Sequence, residues 1–531
     1  MRTTTRFLLF SALLALTSLS CARSRGATHP GDGALKPEAP GPAHPLAASS
    51  AAEFDTALRL LREQGHVNDQ SVISLVVPHE PSKPELEAFE AGTPVPRRVL
   101  VVVYEPARNE TFEGLVRVTP PASVEGWTHK PGIQPPLGKW DHELAKSLLQ
   151  QEPRWLEALR RRGVNDVEAI YHDTWAMGPP SEPRLQGHRV VKTLPFFQGK
   201  TPYSYARPVE GLLALVDLSE RKVVEVFDRG DIPIPPDAGA YEAQDVGPLR
   251  APPHPVVVTH PEGVNFTVTG NEVRWQNWRF RVEPHPREGP VLHLVRYRDG
   301  ERERKVLHRL SLSEMVVPYG DPDDTWSWRS AFDVGEYGFG ANANPLDAGS
   351  DVPSDAVFLP SVYVEPSGKA KENPRALAIY ERDGGVLWKH FNPELRRNES
   401  RRAIELVVAF GVTVENYDYL LNYVFKQDGS MKVEAVLTGI MHAKGVPSPR
   451  RRTRATPTRT SSTATSWPQA WWPCTTSTSS TSGSTSTWTG RATPCSSSTP
   501  CPSPRARPIP RATPSPCAWI PWPTRPAPSA T

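Results

Sequence analysis

The chain has 531 residues and 22% charged residues, which suggests three or four domains and room for a large buried core. Its net charge of +3 is uneven, because the segment from Pro447 to Thr531 holds ten arginines and no Asp, Glu or Lys. The body up to Val446 is therefore net acidic, which argues against a nucleic-acid partner. That body contains only one cysteine, Cys21, so no disulfide framework is predicted.

The N-terminus has the pattern of an export signal. Two arginines precede the apolar run Phe7–Leu16, which is too short to span a membrane. Cys21 follows in a position that resembles the lipobox of bacterial lipoproteins. Two outcomes stay open for residues 1–21: a lipid anchor at Cys21, or cleavage and export to the periplasm or the extracellular space. Residues 22–50 are rich in Pro, Gly and Ala and are predicted to be a flexible linker.

The next segments alternate between helical and strand-like patterns. Residues 51–135 start with apolar residues at helical spacing and continue with strand-like runs, as in a small α+β domain. Residues 136–245 repeat this order, with one helix predicted from His142 through Arg162. From residue 255 to residue 446 many short alternating strands follow, among them Val273–Val282. The predicted fold class is α+β N-terminal domains followed by a large antiparallel β-sandwich.

One short stretch in the β domain carries a chemical signature. The run Asn416-Tyr417-Asp418-Tyr419 resembles the N-Y-(D/E)-Y signature of the copper amine oxidases. The resemblance implies that copper oxidises Tyr417 to a topaquinone cofactor and that Asn416 restricts the rotation of its ring. Without the resemblance, Tyr417 would be an ordinary packing residue, because aromatic residues favour strands.

A second stretch is similar to the segment of the same family that holds the catalytic base. It consists of residues 315–322 and 331–338. Matched residue by residue, Asp333 is the implied proton acceptor and Tyr319 the implied hydrogen-bond partner of a quinone oxygen. The family often has an aromatic gate where this chain has Ala331, which leaves the substrate preference open. Without the resemblance, Asp333 would be interpreted as a turn-capping carboxylate before Gly335.

The resemblance also implies a reaction, its cofactors and an assembly. A primary amine would form a Schiff base with the quinone at Tyr417, and Asp333 would remove a proton from the amine's α-carbon. A buried Asp with a tuned pKa suits that step. An aldehyde, ammonia and hydrogen peroxide would be the products, with O₂ as the oxidant and copper and topaquinone as the cofactors. The family also implies a homodimer.

The copper ligands are the part of the pattern that is missing. The family uses three histidines, two of them in a His-x-His pair, but this chain has no histidine after His442. Residues 447–531 are rich in Ser, Thr, Pro and Arg, a composition typical of disorder. A shift of one base in the reading frame is compatible with His-Gln-His at Thr476, Ser477 and Thr478.

We therefore expect a frameshifted, truncated copper amine oxidase whose catalytic domain is incomplete. A natural Ser/Thr/Pro-rich tail is the alternative for residues 447–531. The competing hypothesis is that the chain is a non-catalytic exported β-sandwich protein without copper.

Overall fold

The computed structural model describes residues 44–445, except positions 202, 231, 238 and 255, and the short strands at 35–36, 464–465 and 474–477. The predicted signal, the predicted anchor at Cys21, most of the predicted linker and nearly all of the tail lie outside these residues. In the described part, no helix combines the length and the apolar character that a membrane crossing requires.

The first small domain packs a helix on a four-stranded antiparallel sheet. Ser50 and Glu53 cap helix α1 reciprocally, since the side chain of each accepts the backbone N–H of the other. Phe54, Leu58 and Leu61 lie on one face of α1 and are fully buried. After the short strand β1 (Leu35–Lys36), the elements are α1 (Ala51–Glu63), β2 (Val72–His79), α2 (Lys83–Glu90), β3 (Arg98–Glu105), β4 (Glu110–Arg117) and β5 (Ser123–His129).

The second small domain also begins with a helix and ends in a four-stranded antiparallel sheet, but both of its longer helices precede its strands. The single helix predicted from His142 through Arg162 is wrong, because the structure has two helices and Pro153 begins the second. Proline has no N–H to donate and disfavours a helical conformation in the residue before it. The elements are α3 (Lys139–Leu149), α4 (Pro153–Arg161), 3-10 turns at Val167–Ala169 and Pro183–Leu185, β6 (Ile170–Ala176), β7 (Val190–Phe197), β8 (Leu212–Asp217), β9 (Lys222–Asp228) and the short helix α5 (Ala243–Val246).

Two sheets that share one core form the large β domain. One has the strand order β1-β10-β11-β12-β13-β14-β24 and the other β17-β18-β19-β20-β21. The elements are β10 (Phe266–Thr269), β11 (Glu272–Trp275), β12 (Trp278–His285), β13 (Gly289–Asp299), β14 (Arg302–Leu312), β15 (Val316–Pro318), β16 (Ser330–Phe332), α6 (Asp333–Tyr337), β17 (Val357–Val364), β18 (Ala370–Asn392), β19 (Arg397–Val414), β20 (Tyr417–Lys426), β21 (Met431–Gly439), β22 (Ala443–Lys444), β23 (Ala464–Thr465) and β24 (Cys474–Ser477).

Aromatic contacts join the two sheets. The rings of Phe280 in one sheet and Phe425 in the other stack with their centroids 4.1 Å apart, and both side chains are fully buried. Burying a side chain of this size contributes about 1.5–3 kcal/mol. The predicted fold class, α+β domains followed by an antiparallel β-sandwich, is confirmed.

The predicted strand Val273–Val282 is wrong in detail. The structure makes it a hairpin in which Trp275 pairs with Trp278 around the turn at Gln276 and Asn277. Gln276 has φ +51°, a left-handed conformation for which glutamine gives no sequence signal.

A buried carboxylate also joins the two sheets. Glu381 in β18 is completely buried and accepts hydrogen bonds from the indole Nε1 of Trp275 at 2.7 Å and the backbone N–H of Asn265 at 2.8 Å. Both donors belong to the β10–β11 side of the other sheet. Removing this carboxylate leaves the buried indole N–H without its acceptor, which costs free energy.

We predict that Glu381→Ala lowers the free energy of unfolding by about 2–4 kcal/mol, because the buried indole N–H of Trp275 loses its acceptor and the backbone N–H of Asn265 loses its partner. Urea denaturation followed by tryptophan fluorescence measures the change. The matched control is Glu394→Ala at an exposed turn, which should stay within about 0.5 kcal/mol of the wild type. Equal stabilities of the two variants would contradict the role of Glu381.

Candidate active site

A tight hairpin in the second sheet positions Tyr417. Strand β19 ends at Val414, strand β20 begins at Tyr417, and these two residues pair across the turn formed by Glu415 and Asn416. On the other side Tyr417 pairs with Gly439 in β21. A Cβ at Gly439 would lie 2.6 Å from the carbonyl oxygen of Asn416, so this close approach requires glycine. The phenol of Tyr417 is thereby directed into the core shared by the two sheets.

Two donors contact the hydroxyl of Tyr417. The hydroxyl of Tyr319 donates to it at 3.5 Å, and the backbone N–H of His442 donates at 3.3 Å. Burial raises the pKa of Tyr417 and raises that of Tyr319 well above its ordinary range. Both phenols are therefore neutral hydrogen-bonding groups around neutral pH.

A second hairpin positions Tyr319 and Asp333 next to the tyrosines of β20. Strand β15 pairs with β16 so that Pro318 lies opposite Ser330 and Val317 opposite Ala331. Tyr319 leaves the end of β15, and Asp333 follows the end of β16 as the first residue of α6. This pairing explains how two residues 14 positions apart contact neighbouring tyrosines of β20, Tyr319 contacting Tyr417 and Asp333 contacting Tyr419. Ala331, at the predicted gate position, is buried in β16.

Asp333 is a buried carboxyl group with one strong partner. It is 3% exposed, and its Oδ2 accepts a hydrogen bond from the hydroxyl of Tyr419 at 2.8 Å. Burial raises the pKa of Asp333 to about 7, although the Tyr419 hydrogen bond acts in the opposite direction. A carboxyl with such a pKa can take up and release a proton near neutral pH.

Asn416 is fixed to the chain that follows β21. Its side-chain N–H donates to the carbonyl oxygen of Ile440, and the N–H of Ile440 donates to the carbonyl oxygen of Asn416 at 2.7 Å. These bonds anchor the turn that precedes Tyr417. The predicted restriction of the ring by Asn416 stays a prediction.

Three contributors to the site were not predicted as functional residues. Tyr419 belongs to the quoted motif and lies two residues after Tyr417 on the same face of β20, so strand alternation could have indicated it. His442 and Glu415 lack such a signal, because their positions depend on the turn and on contacts with the second small domain.

Three domain families match the chain and together cover more than half of it. They are "Copper amine oxidase, enzyme domain" at residues 267–464, "Copper amine oxidase, N3 domain" at residues 141–244 and "AGAO-like N2 domain" at residues 50–124. The chain belongs to the copper amine oxidase family. The family predicted from the sequence is thus confirmed.

Individual relatives agree with this family. The chain is 34% identical over 448 residues to N-methylputrescine oxidase 1 of Nicotiana tabacum, which covers 75% of the chain and 56% of the relative. It is 34% identical over 407 residues to the primary amine oxidase of Arthrobacter sp. (strain P1), covering 76% and 62%. The solved copper-containing benzylamine oxidase from Hansenula polymorpha superimposes with a TM-score of 0.65 and 26% identity, covering 76% and 65%. The chain thus spans little more than half the length of the curated relatives.

The copper amine oxidase family uses copper and topaquinone, and the described residues fit only one of these cofactors. Tyr417 fits a quinone precursor, because it is buried, held by two donors and close to a carboxyl group. A copper ion beside Tyr417 would need ligands such as imidazole, which suits copper. His442 is the one described histidine that contacts Tyr417, and it does so through its backbone.

The surroundings of His442 do not favour a metal cation. Its imidazole is 1% exposed and lies between the rings of Phe196, Tyr205, Tyr319 and Trp326. The guanidinium of Arg329 is 3.5 Å from its Nε2, and burial lowers the pKa of His442 well below its ordinary value. The described residues therefore do not fit a copper ion beside Tyr417.

The two positions at which a reading-frame shift would place the copper-ligating histidines, Thr476 and Thr478, are not found beside Tyr417 in the described residues. Thr476 lies in β24 and pairs with Leu310, in the sheet that does not contain Tyr417. Thr478 lies outside the described residues. Within the described part, one other group, formed by Glu80, Glu283 and His293, has its ligand atoms spaced for a metal ion, and none of its members contacts Tyr417.

The raised pKa of Asp333 generates a prediction about stability. The unfolded chain loses this proton near the ordinary pKa of 3.8 and the folded chain at about 7, so the folded chain binds more protons between these values. Stability therefore falls as the pH rises through this window and is constant above it. Asp333→Asn cannot ionise, so its stability relative to the wild type should rise by about 2 kcal/mol between pH 5 and pH 8.

Urea denaturation at both pH values measures this difference. Asp55→Asn on the exposed face of α1 is the matched control and should show no such dependence. A pH-independent difference between Asp333→Asn and the wild type would show that Asp333 ionises normally in the folded chain.

Proposed function

We propose that this chain contains the part of an amine-oxidising site that reacts with the amine, but not its copper ligands. In this site Asp333 takes up a proton from the substrate and Tyr417 is the quinone precursor. The observation that supports this most is the carboxyl group of Asp333. It is buried, has a pKa of about 7 and is held by Tyr419, two residues from Tyr417. Membership of the copper amine oxidase family supports the same assignment.

Each side chain around Tyr417 has a role that its contacts allow. Asp333 accepts the proton that leaves the amine's α-carbon, and its near-neutral pKa lets it release that proton afterwards. Tyr419 orients the carboxyl group by donating to Oδ2. Tyr319 donates a hydrogen bond to the oxygen of residue 417. A quinone at Tyr417 would supply the electron sink, and the protein supplies position and the base.

The finer features of the reaction are proposals for a protein whose copper ligands are complete. They are the release of an aldehyde, ammonia and hydrogen peroxide, the use of O₂ and assembly as a homodimer. Export of the chain, with or without a lipid at Cys21, is likewise a proposal based on its N-terminal sequence.

A second candidate function is favoured by one observation. Among the described residues, the one histidine that contacts Tyr417 is enclosed by aromatic rings and Arg329, and no histidine follows it in the sequence. The 531-residue chain would then be a protein with this fold that does not oxidise amines. Its copper content separates the two candidates.

The proposed reaction can be tested in a version of the gene whose reading frame is restored after codon 446. Asp333→Asn should lower the rate of amine oxidation by about 10²–10⁴-fold, because the general base is lost. Tyr417→Phe should abolish both activity and the visible absorption of the quinone, because phenylalanine has no phenol to oxidise. Peroxide release and absorption spectra measure both effects.

Asp55→Asn is again the control and should retain full activity. Near-normal turnover of Asp333→Asn would move the base to another residue. Quinone colour in Tyr417→Phe would overturn the assignment of Tyr417.

A further inference from the structure

The phenol of Tyr205, in the second small domain, contacts two segments of the β domain near Tyr417. Its hydroxyl donates to Oε2 of Glu415 at 2.6 Å, and the centroid of its ring lies 5.2 Å from that of the His442 imidazole. Glu415 is two residues before Tyr417, and the backbone N–H of His442 donates to the Tyr417 hydroxyl at 3.3 Å. Tyr205 therefore contacts the segment that leads into Tyr417 and the segment that bonds to its hydroxyl.

A buried carboxyl group shares the same phenol. Asp173 in β6 is 5% exposed, its Oδ1 lies 3.3 Å from the Tyr205 hydroxyl, and its Oδ2 accepts the indole N–H of Trp175 at 2.6 Å. The hydroxyl of Tyr171 lies 3.2 Å from Oε2 of Glu415 and 3.1 Å from the hydroxyl of Tyr205. Two carboxyl groups and two phenols thus form one network between the domains.

The number of hydrogens decides how this network can bond. A phenol has one hydroxyl hydrogen to donate. The shorter distance assigns the hydrogen of Tyr205 to Glu415, so the oxygen of Tyr205 can only accept a hydrogen bond from Asp173. Asp173 must then carry a proton of its own. Once Asp173 is ionised, it competes with Glu415 for the single hydrogen of Tyr205, and the bond between the domains weakens.

The surroundings of Asp173 let it change its charge near neutral pH. Its pKa is raised to about 7 by burial and by the charge of Glu415, while the Trp175 hydrogen bond, the charge of Arg329 and the Tyr205 hydrogen bond act in the opposite direction. The guanidinium of Arg329 stacks on the ring of Trp326. The titratable and charged groups that face this network from other elements are Tyr319 after β15, Arg329 before β16, Tyr337 on α6 and His142 on α3.

The turn that Tyr205 contacts has an unfavourable backbone conformation. Glu415 has φ +55°, a left-handed conformation that residues other than Gly, Asn and Asp rarely adopt. Such a conformation persists when the surrounding structure holds it. The hydrogen bond from Tyr205 is one of the contacts that hold this turn.

We propose that Asp173 and Tyr205 are positioning residues for Tyr417. The proton on Asp173 lets Tyr205 bond to Glu415 and keeps the second small domain closed on the turn before Tyr417, and loss of that proton loosens this contact. This inference goes beyond the proposed function and does not rest on it, because it concerns the position of residue 417 in the chain as it stands. Neither Asp173 nor Tyr205 takes part in the reaction itself.

Two backbone amides report on this contact. The N–H of Ile440 donates to the carbonyl oxygen of Asn416 in the turn at 2.7 Å, and the N–H of His442 donates to the Tyr417 hydroxyl. Their hydrogen exchange, measured by mass spectrometry on the full chain, gives a protection factor relative to an unstructured chain at the same pH. Opening of the contact lowers this factor.

The sign of the pH dependence follows from the raised pKa. The closed contact binds the Asp173 proton up to a pH of about 7, whereas an open, solvated Asp173 releases it near the ordinary value of 3.8. The contact therefore weakens as the pH rises towards 7 and changes little above it. Between pH 5 and pH 8 the protection factors of both amides in the wild type should fall at least about tenfold.

Asp173→Asn is the decisive variant. Its amide oxygen still accepts from Trp175 and its amide N–H donates to Tyr205, so it imitates the protonated carboxyl group and cannot ionise. We expect the same protection at both pH values, at the level of the wild type at pH 5. Tyr205→Phe should give low protection at both pH values, because it removes the bond to Glu415 at every pH. The matched control Asp55→Asn, on the exposed face of α1, should behave like the wild type.

Asp333→Asn separates this contact from the other carboxyl group that ionises in the same range. It should keep the pH dependence of the two amides. Equal protection of the wild type at pH 5 and pH 8, or a dependence that persists in Asp173→Asn, would overturn the role of Asp173. Wild-type protection in Tyr205→Phe would overturn the role of Tyr205. Each of these results would leave the proposed function intact.

Discussion

The architecture depends on burying a carboxyl group among phenols in the core that two β-sheets share. Asp333 and the three tyrosines at 319, 417 and 419 are each less than a tenth exposed, and each has a hydrogen-bond partner in this group. An unpaired carboxylate at this depth would be costly, so the group is held protonated or paired. The raised pKa of Asp333 and its bond to Tyr419 are two consequences of the same burial.

The second small domain is part of this site and not merely its neighbour. Its Tyr205 contacts both the Glu415 carboxylate and the ring of His442. Phe196 from the same domain also packs against that imidazole, with the ring centroids 5.1 Å apart. The domain thereby packs against His442, whose backbone N–H donates to the Tyr417 hydroxyl, and it contacts the turn that precedes Tyr417 through Glu415.

The sequence predicted Tyr417 as the quinone precursor and Asp333 as the base, because short motifs contain them, and both roles stay predictions. It did not reveal the groups that hold them. Glu415 adopts a left-handed turn that glutamate does not signal, and Gln276 does the same in the hairpin that splits a predicted strand. The break at Pro153 was visible in the sequence, yet the apolar spacing on both sides of it suggested one helix. His442 and Arg329 are 113 residues apart, a contact that only the fold creates.

The described residues hold Tyr417 between two hydrogen-bond donors but supply no set of copper ligands beside it. The direct measurement is the copper content of the 531-residue chain after expression with copper, together with the mass of the peptide that contains Tyr417. The account predicts no stoichiometric copper and an unmodified tyrosine. Stoichiometric copper and the mass gain of a quinone at Tyr417 would contradict it, and would require ligands from the residues that follow Val446.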